Sequence, residues 1–299
     1  MSLSSSDQAL SQEREAPAPD TPFRDFLKRL LLNRSASMGA VILLVFLVAA
    51  ILAPWITSHD PYHIDAAVAL RSPSIEFPLG TDHFGRDILT RILYGSRISL
   101  TIGLIATGIA ALVGMALGLM AGFYGGWVDD LIMRLMDVLL AFPGLVLALV
   151  MIVILGPSLF NVMVAVGFSR VPQFARMVRG QVLSVREMDY VSASKATGAG
   201  APRVMARHIM PNILAPVMVL ATVGVGTAIL QAASLGYLGL GAQPPTPEWG
   251  LMLSETRQFL RFAWWTTAFP GIAIMISVIA INLFGDGIRD ILDPRLRGR

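Results

Sequence analysis

Six long apolar runs decide what this chain can fold into. They fall at about residues 38–56, 98–124, 131–155, 159–182, 213–237 and 264–284. A hydrocarbon core is crossed by about 20 apolar residues as a helix, and lipid offers a lone strand or loop no hydrogen-bond partner. Of 299 residues, 55% are hydrophobic and 14% charged, against roughly 25% charged in soluble domains. The expected fold class is therefore an all-α integral membrane protein with six transmembrane helices. With no cysteine, disulfide scaffolds, thiol nucleophiles and cysteine metal sites are excluded.

Between the runs the organisation is coarse. Residues 1–22 are rich in Ser, Glu, Ala and Pro without periodicity and are expected to be a disordered tail. Residues 23–37 alternate apolar and basic positions at helical spacing, as an amphipathic helix lying on a membrane surface does. Residues 38–97 hold the first span and a large loop, 98–287 the core, and 288–299 a second tail. The charged leader before the first apolar run favours an uncleaved signal-anchor. In the fourth run, Arg170, Arg176 and Arg179 suggest that its second half leaves the lipid, with a kink at Pro172. Pro143 and Gly144 suggest a bend in the third. Gly114, Gly118 and Gly122 repeat every four residues, so one face of the second run admits another helix closely.

Most of the 23 Lys and Arg residues fall on the side of the membrane that holds both termini and residues 186–212. Basic loops stay in the cytosol, so both ends and this segment are expected to be cytoplasmic. The mild positive balance orients loops and does not argue for nucleic acid.

Residues 186–212 are an interior stretch too charged for a bilayer. Residues 187–197 have helix-forming composition with acids in front, where they suit the helix dipole. Gly198 stands where a left-handed C-cap is needed. Pro202 opens a second short helix, where a missing N–H costs little, and Met210-Pro211 closes it. The result is a helix–turn–helix knuckle with a basic flank (Arg203, Arg207, His208) and apolar contacts at Tyr190, Val191, Met205 and Ile209. By composition alone it serves equally as a partner surface or as a connector.

On the opposite side, Thr81 or Asp82 can cap a helix through Gly95. The charges there either pair locally or form a rim for a delivering protein. His59 and His63 are four apart, but Pro61 between them argues for a turn and against metal; no metal site is expected. No phosphate loop, HExxH or GxSxG occurs, so no catalytic residue is expected. Gln231 and Asn282 are the deep polar residues, either helix glue or part of a polar path. The lack of mid-span carboxylates argues against a proton-coupled carrier.

Ser192-Ala193-Ser194, then Gly198, then Arg207-His208-Ile209-Met210-Pro211-Asn212 resembles the "EAA" loop of ABC-importer permeases, departing from it at Ser192 and Ser194. Leu79-Gly80-Thr81-Asp82, Gly85-Arg86-Asp87 and Arg97-Ile98-Ser99-Leu100 are similar to the dipeptide/oligopeptide/nickel branch of that family, in particular its C-type subunit with a large first outer loop. So are the loop from Leu238 through Pro244, Pro245, Glu248 and Trp249 to Gly250, and Gly285-Asp286-Gly287 near the end. The matches run from about Thr57 to Arg295.

The resemblance implies the type I importer permease fold in a bacterial inner membrane, importing dipeptides or short oligopeptides. It also implies a second permease subunit, two ATPase subunits that hold ATP and Mg²⁺, and a periplasmic or lipid-anchored binding protein; this chain itself would carry no cofactor. Tyr190, Ser192, Ala193, Ser194, Lys195, Gly198, Pro202, Arg203, Arg207, His208 and Pro211 would form the ATPase-coupling loop. Thr81, Asp82, Gly85, Arg86, Asp87, Pro244, Pro245, Glu248 and Trp249 would meet the binding protein. Nickel chelates, glutathione, D-amino-acid dipeptides and opines remain alternative cargoes, and an autonomous carrier or channel the distant alternative.

Overall fold

The computed structural model describes residues 30–292. The expected tails at 1–22 and 293–299, and residues 23–29 of the amphipathic segment, lie outside the described residues. Residues 30–32 are helical. Asn33 then caps helix α1 (Arg34–Ile56), its side chain accepting from the Ala36 N–H at 3.1 Å. The helix carrying the first apolar run therefore begins at Arg34, where a capping Asn favours the break.

Helix α2 (Ile88–Tyr124) is a single rod of 37 residues, about 55 Å long at 1.5 Å per residue. The separate outer helix capped by Thr81 or Asp82 is corrected: Asp87 is the cap, accepting from the Thr90 N–H at 2.8 Å. Gly95 does not break the rod. A Cβ there would meet the Trp249 ring at 3.0 Å, so this glycine serves close approach.

The glycine face of α2 packs on α5 (Leu159–Arg186). A Cβ at Gly114 would lie 2.9 Å from the Val171 carbonyl oxygen. One at Gly118 would be 2.8 Å from Val178 Cβ, and one at Gly122 2.7 Å from Val182 Cβ. The expected small-residue seam thus has its partner. Helix α5 runs unbroken through Pro172.

The third apolar run is two helices, α3 (Gly126–Leu140) and α4 (Gly144–Leu155), set at 92°. The bend expected at Pro143-Gly144 within the run over 131–155 is a full break between two helices. Pro143 forces the residue before it away from helical backbone, and it stands as the N-cap of α4 with ψ 133°. Twelve-residue α4 alone is too short to cross a bilayer.

Then come α6 (Asp189–Ala196), α7 (Ala201–Val204), a π-turn (Met205–Ile209) and α8 (Met210–Tyr237). Met210-Pro211 does not close the knuckle. Residues Ala201–Tyr237 form one helical rod. Proline lacks an N–H and presses on the carbonyl four residues back. The π-turn widens the helix just before it, the Met210 N–H bonding the Met205 carbonyl, so Pro211 enters without a break. Helices α9 (Trp249–Thr256) and α10 (Trp265–Leu292) complete the bundle; residues 288–292 continue α10 instead of starting a tail.

Among the described residues, four helices are long and apolar enough to cross a membrane, and the bent α3–α4 pair would make a fifth. Helix α5 has the length, but its arginines keep it from that group. One buried cluster joins α2, α4, α5 and α8; a second joins α2, α5, the knuckle and α8; a third joins α2, α8, α9 and α10.

Candidate coupling surface and outer cap

The knuckle is rigid by construction. Helix α6 ends in a full C-terminal cap: Gly198 has φ +84°, its N–H bonds the Lys195 carbonyl at 3.0 Å, and the Ala199 N–H bonds the Ser194 carbonyl at 3.1 Å. That pairing of bonds around a left-handed residue is the Schellman arrangement, which glycine adopts without a steric penalty. Val191, Val204 and Ile209 are fully buried against Val182, Val185 and Ile213. Val204 is an anchor that sequence reasoning missed; it carries no signal beyond its helical spacing from Ile209. Tyr190, expected among the apolar contacts, is 45% exposed, with its ring 6.2 Å from His208.

Ser192, Ala193, Lys195, Gly198, Pro202, Arg203, Arg207 and Pro211 are exposed and Ser194 and His208 partly so. They lie along the stretch from α6 through α7 and the π-turn to the first turn of α8. Lys195 Nζ stands over the Phe123 ring at 5.4 Å, and the Arg186 Nη1 donates to the Gly122 carbonyl at 2.8 Å. Both contacts tie the knuckle to the end of α2. Nearby, Arg179 pairs with Asp129 at 2.5 Å and Arg176 with Asp137, clamping α5 to α3.

The other end is a cap built on buried charge. Asp82 accepts from Arg86 Nε at 2.6 Å, and Arg86 Nη2 donates to Glu255 of α9 at 2.8 Å. Arg91 lies 3.8 Å from Asp82 and 3.6 Å from Glu255, and donates to the carbonyls of Pro61 and Pro245 at 2.9 and 3.2 Å. Two cations and two anions close a compensated network. His83 stacks on Phe259 and lies tilted against Phe84; burial, partly offset by Asp82 and Glu255, holds its pKa below the ordinary 6.5. Glu248 caps α9, accepting from Gly250 N and Leu251 N at 2.8 Å each, and its burial pushes its pKa up. Trp249 is fully buried, donating to the Ile92 carbonyl at 3.1 Å.

Thr81, Asp82, Gly85, Arg86, Asp87, Glu248 and Trp249 are therefore all buried. They pair locally and shape the cap, because a loop rich in both signs reaches its lowest free energy by satisfying itself. Pro244 and Pro245 are exposed. Glu255, the counter-charge for both arginines, went unnoticed in the sequence, since it lies far along the chain from them. His59, His63, Asp60, Asp65, Glu76 and Asp87 line a small pocket of about 190 Å³, and among the described residues no three such groups converge as metal ligands do.

Gln231 on α8 faces the α3–α4 break, its Nε2 3.3 Å from a Cβ built at Gly144, and its Oε1 is buried without a partner. Asn282 on α10 lies against α8, its Oδ1 3.3 Å from a Cβ built at Gly226.

A long-rod bundle with a capped polar knuckle at one end and a buried-charge platform at the other is the layout of a transport permease. Comparison agrees. Residues 114–298 match the family described as binding-protein-dependent transport system inner membrane component, and residues 21–73 match the N-terminal TM domain of oligopeptide transport permease C. The dipeptide transport system permease protein DppC of Alkalihalophilus pseudofirmus is 47% identical, covering 96% of this chain and 97% of that protein. The di/tripeptide permease DppC of Pseudomonas aeruginosa is 44% identical over 94% and 97%, and the dipeptide permease DppC of Escherichia coli 46% identical over 94% and 96%. A chain of the inward-facing MetNI methionine ABC transporter superposes with TM-score 0.55 at 20% identity, over 68% of this chain and 97% of that one, which shows the shared fold. This chain belongs to the family of inner membrane components of binding-protein-dependent transport systems.

Proposed function

We propose that this chain is one of two permease subunits of an ATP-driven importer of dipeptides or short oligopeptides, in a bacterial inner membrane with both termini in the cytosol. Dipeptide and di/tripeptide permeases that match nearly end to end support the cargo, and the distribution of Lys and Arg supports the orientation. The observation that carries the mechanism is the knuckle: a short, capped, exposed element rooted in the bundle core.

In this scheme a pair of ATPase subunits, which hold ATP and Mg²⁺, closes and pushes residues 186–212. The buried Val191, Val204 and Ile209 pass the push to α5 and α8, since a packed core shifts between discrete arrangements and does not deform smoothly. A binding protein settles on the outer cap, whose exposed Pro244 and Pro245 are available to it. Gln231, beside the α3–α4 break, lines the path; Asn282 joins α8 to α10. Nothing covalent happens on this chain.

The test is uptake of a labelled dipeptide by proteoliposomes holding the full complex. Uptake should require internal ATP and external binding protein together. Uptake driven by a solute gradient alone, with the ATPase subunits absent, would instead show an autonomous carrier.

A further inference from the structure

Arg170 lies in the middle of α5, is 6% exposed, and its Nε is buried with no partner. Among the described residues, no carboxylate pairs with it. The buried Arg86 and Arg91, by contrast, share Asp82 and Glu255. An uncompensated guanidinium inside a bundle is costly, and such groups mark ligand pathways.

A second unsatisfied group stands beside it. Thr107 of α2 is 2% exposed and its Oγ1 has no partner. Both side chains face Gly224 of α8. A Cβ built there would lie 3.0 Å from Thr107 Cγ2, 3.6 Å from Thr107 Oγ1 and 3.5 Å from Arg170 Nη2. Two orphaned donors from two helices thus converge on one point beside a glycine.

A groove of about 670 Å³ opens farther along the same helices. It runs between α5, α8 and α10 and is lined by Met177, Gln181, Pro216, Leu220 and Asp286. Arg170 sits two turns before Met177 and three before Gln181 on the same face of α5. Gly224 continues the stripe of Pro216 and Leu220 on α8.

We propose that Arg170 and Thr107 form a carboxylate site that takes the C-terminal carboxylate of a peptide in transit. The proposal rests on the peptide-cargo reading above. A guanidinium matches a carboxylate with two parallel hydrogen bonds, and the threonine hydroxyl adds a third donor. The α-carboxylate is common to linear peptides whatever their side chains, so one such site serves a varied cargo.

The chain contains no cysteine, so Leu220→Cys places one thiol in the groove and leaves both ligands intact. In the purified full complex without binding protein, thiol labelling at position 220 is followed by mass spectrometry. Alanyl-alanine should slow labelling about fivefold at saturating concentration, while alanyl-alanine amide should leave it unchanged. Arg170→Gln in the same background should abolish protection without altering the labelling rate in the absence of peptide, and Arg170→Lys should weaken it. Equal protection by acid and amide, or protection that survives Arg170→Gln, overturns the site. Should Arg170→Gln fail to assemble, unreduced protection in Arg170→Lys overturns it. Wild-type uptake is measured alongside. Normal dipeptide uptake with no protection removes the site alone, whereas absent uptake removes the cargo assignment and the site with it.

Discussion

Arg86 and Arg91 are nearly inaccessible to solvent and share Asp82 and Glu255. Removing one member of a buried, compensated network strands the others and costs about 3–5 kcal/mol. Glu255→Ala should therefore lower the thermal midpoint of the detergent-solubilised protein sharply, whereas Glu255→Gln, which keeps one acceptor oxygen, should cost less. Fluorescence-detected unfolding distinguishes the two. His83 supplies a pH-sensitive element in the same cap. Its folded pKa lies below 6.5 because burial disfavours the cation. A depressed pKa contributes stability present above the unfolded value and lost as pH falls from 6.5 through the folded value. The midpoint should consequently drop between neutral pH and pH 5, and His83→Phe should flatten that slope; an unchanged slope would remove His83 from the explanation.

At the scale of elements, two glycines act for different reasons. Gly118 has helix α5 against it, with Val178 Cβ 2.8 Å from a built Cβ. Gly118→Val should overpack the α2–α5 seam, destabilising by roughly 1–3 kcal/mol, visible as lower yield of monodisperse protein. Gly198 has open space around it and φ +84°, so Gly198→Val meets only backbone strain, about 1–2 kcal/mol. It should insert and fold yet couple poorly: ATP-dependent uptake falls while expression holds. Wild-type uptake by that variant would show that the cap does not transmit force. The contrast shows where sequence was informative. Glycine spacing, the Gly198 cap and Pro202 near the helix start are local rules, and each was legible. The α3–α4 break was visible as Pro143-Gly144, but its 92° angle was not, since composition sets a bend and tertiary packing sets its size. Pro211 misled because the π-turn that relieves it leaves no mark in composition.

Across the whole molecule, the polar knuckle and the charged cap occupy opposite ends of long rods, and α2, α8 and α10 run between them. The order of spans was readable because lipid imposes it on composition. The cap's interior was not, because Glu255 and the residues it neutralises lie far apart in sequence, so burial of Asp82, Arg86, Glu248 and Trp249 emerged only in three dimensions. Arg170 looked like a sign of chain leaving the lipid; its burial, without a counter-ion among the described residues, depends on neighbours from three helices. The central claim is that residues 186–212 are a coupling surface for partner ATPases. Affinity purification of the tagged chain from its native membrane in mild detergent, with quantitative mass spectrometry, tests it most directly. Expected are one further permease and two ATPase subunits per complex, with the ATPases lost when Arg203 and Arg207 are both changed to Glu. Recovery of the chain alone or as a homo-oligomer, still passing solute without ATP, would contradict it.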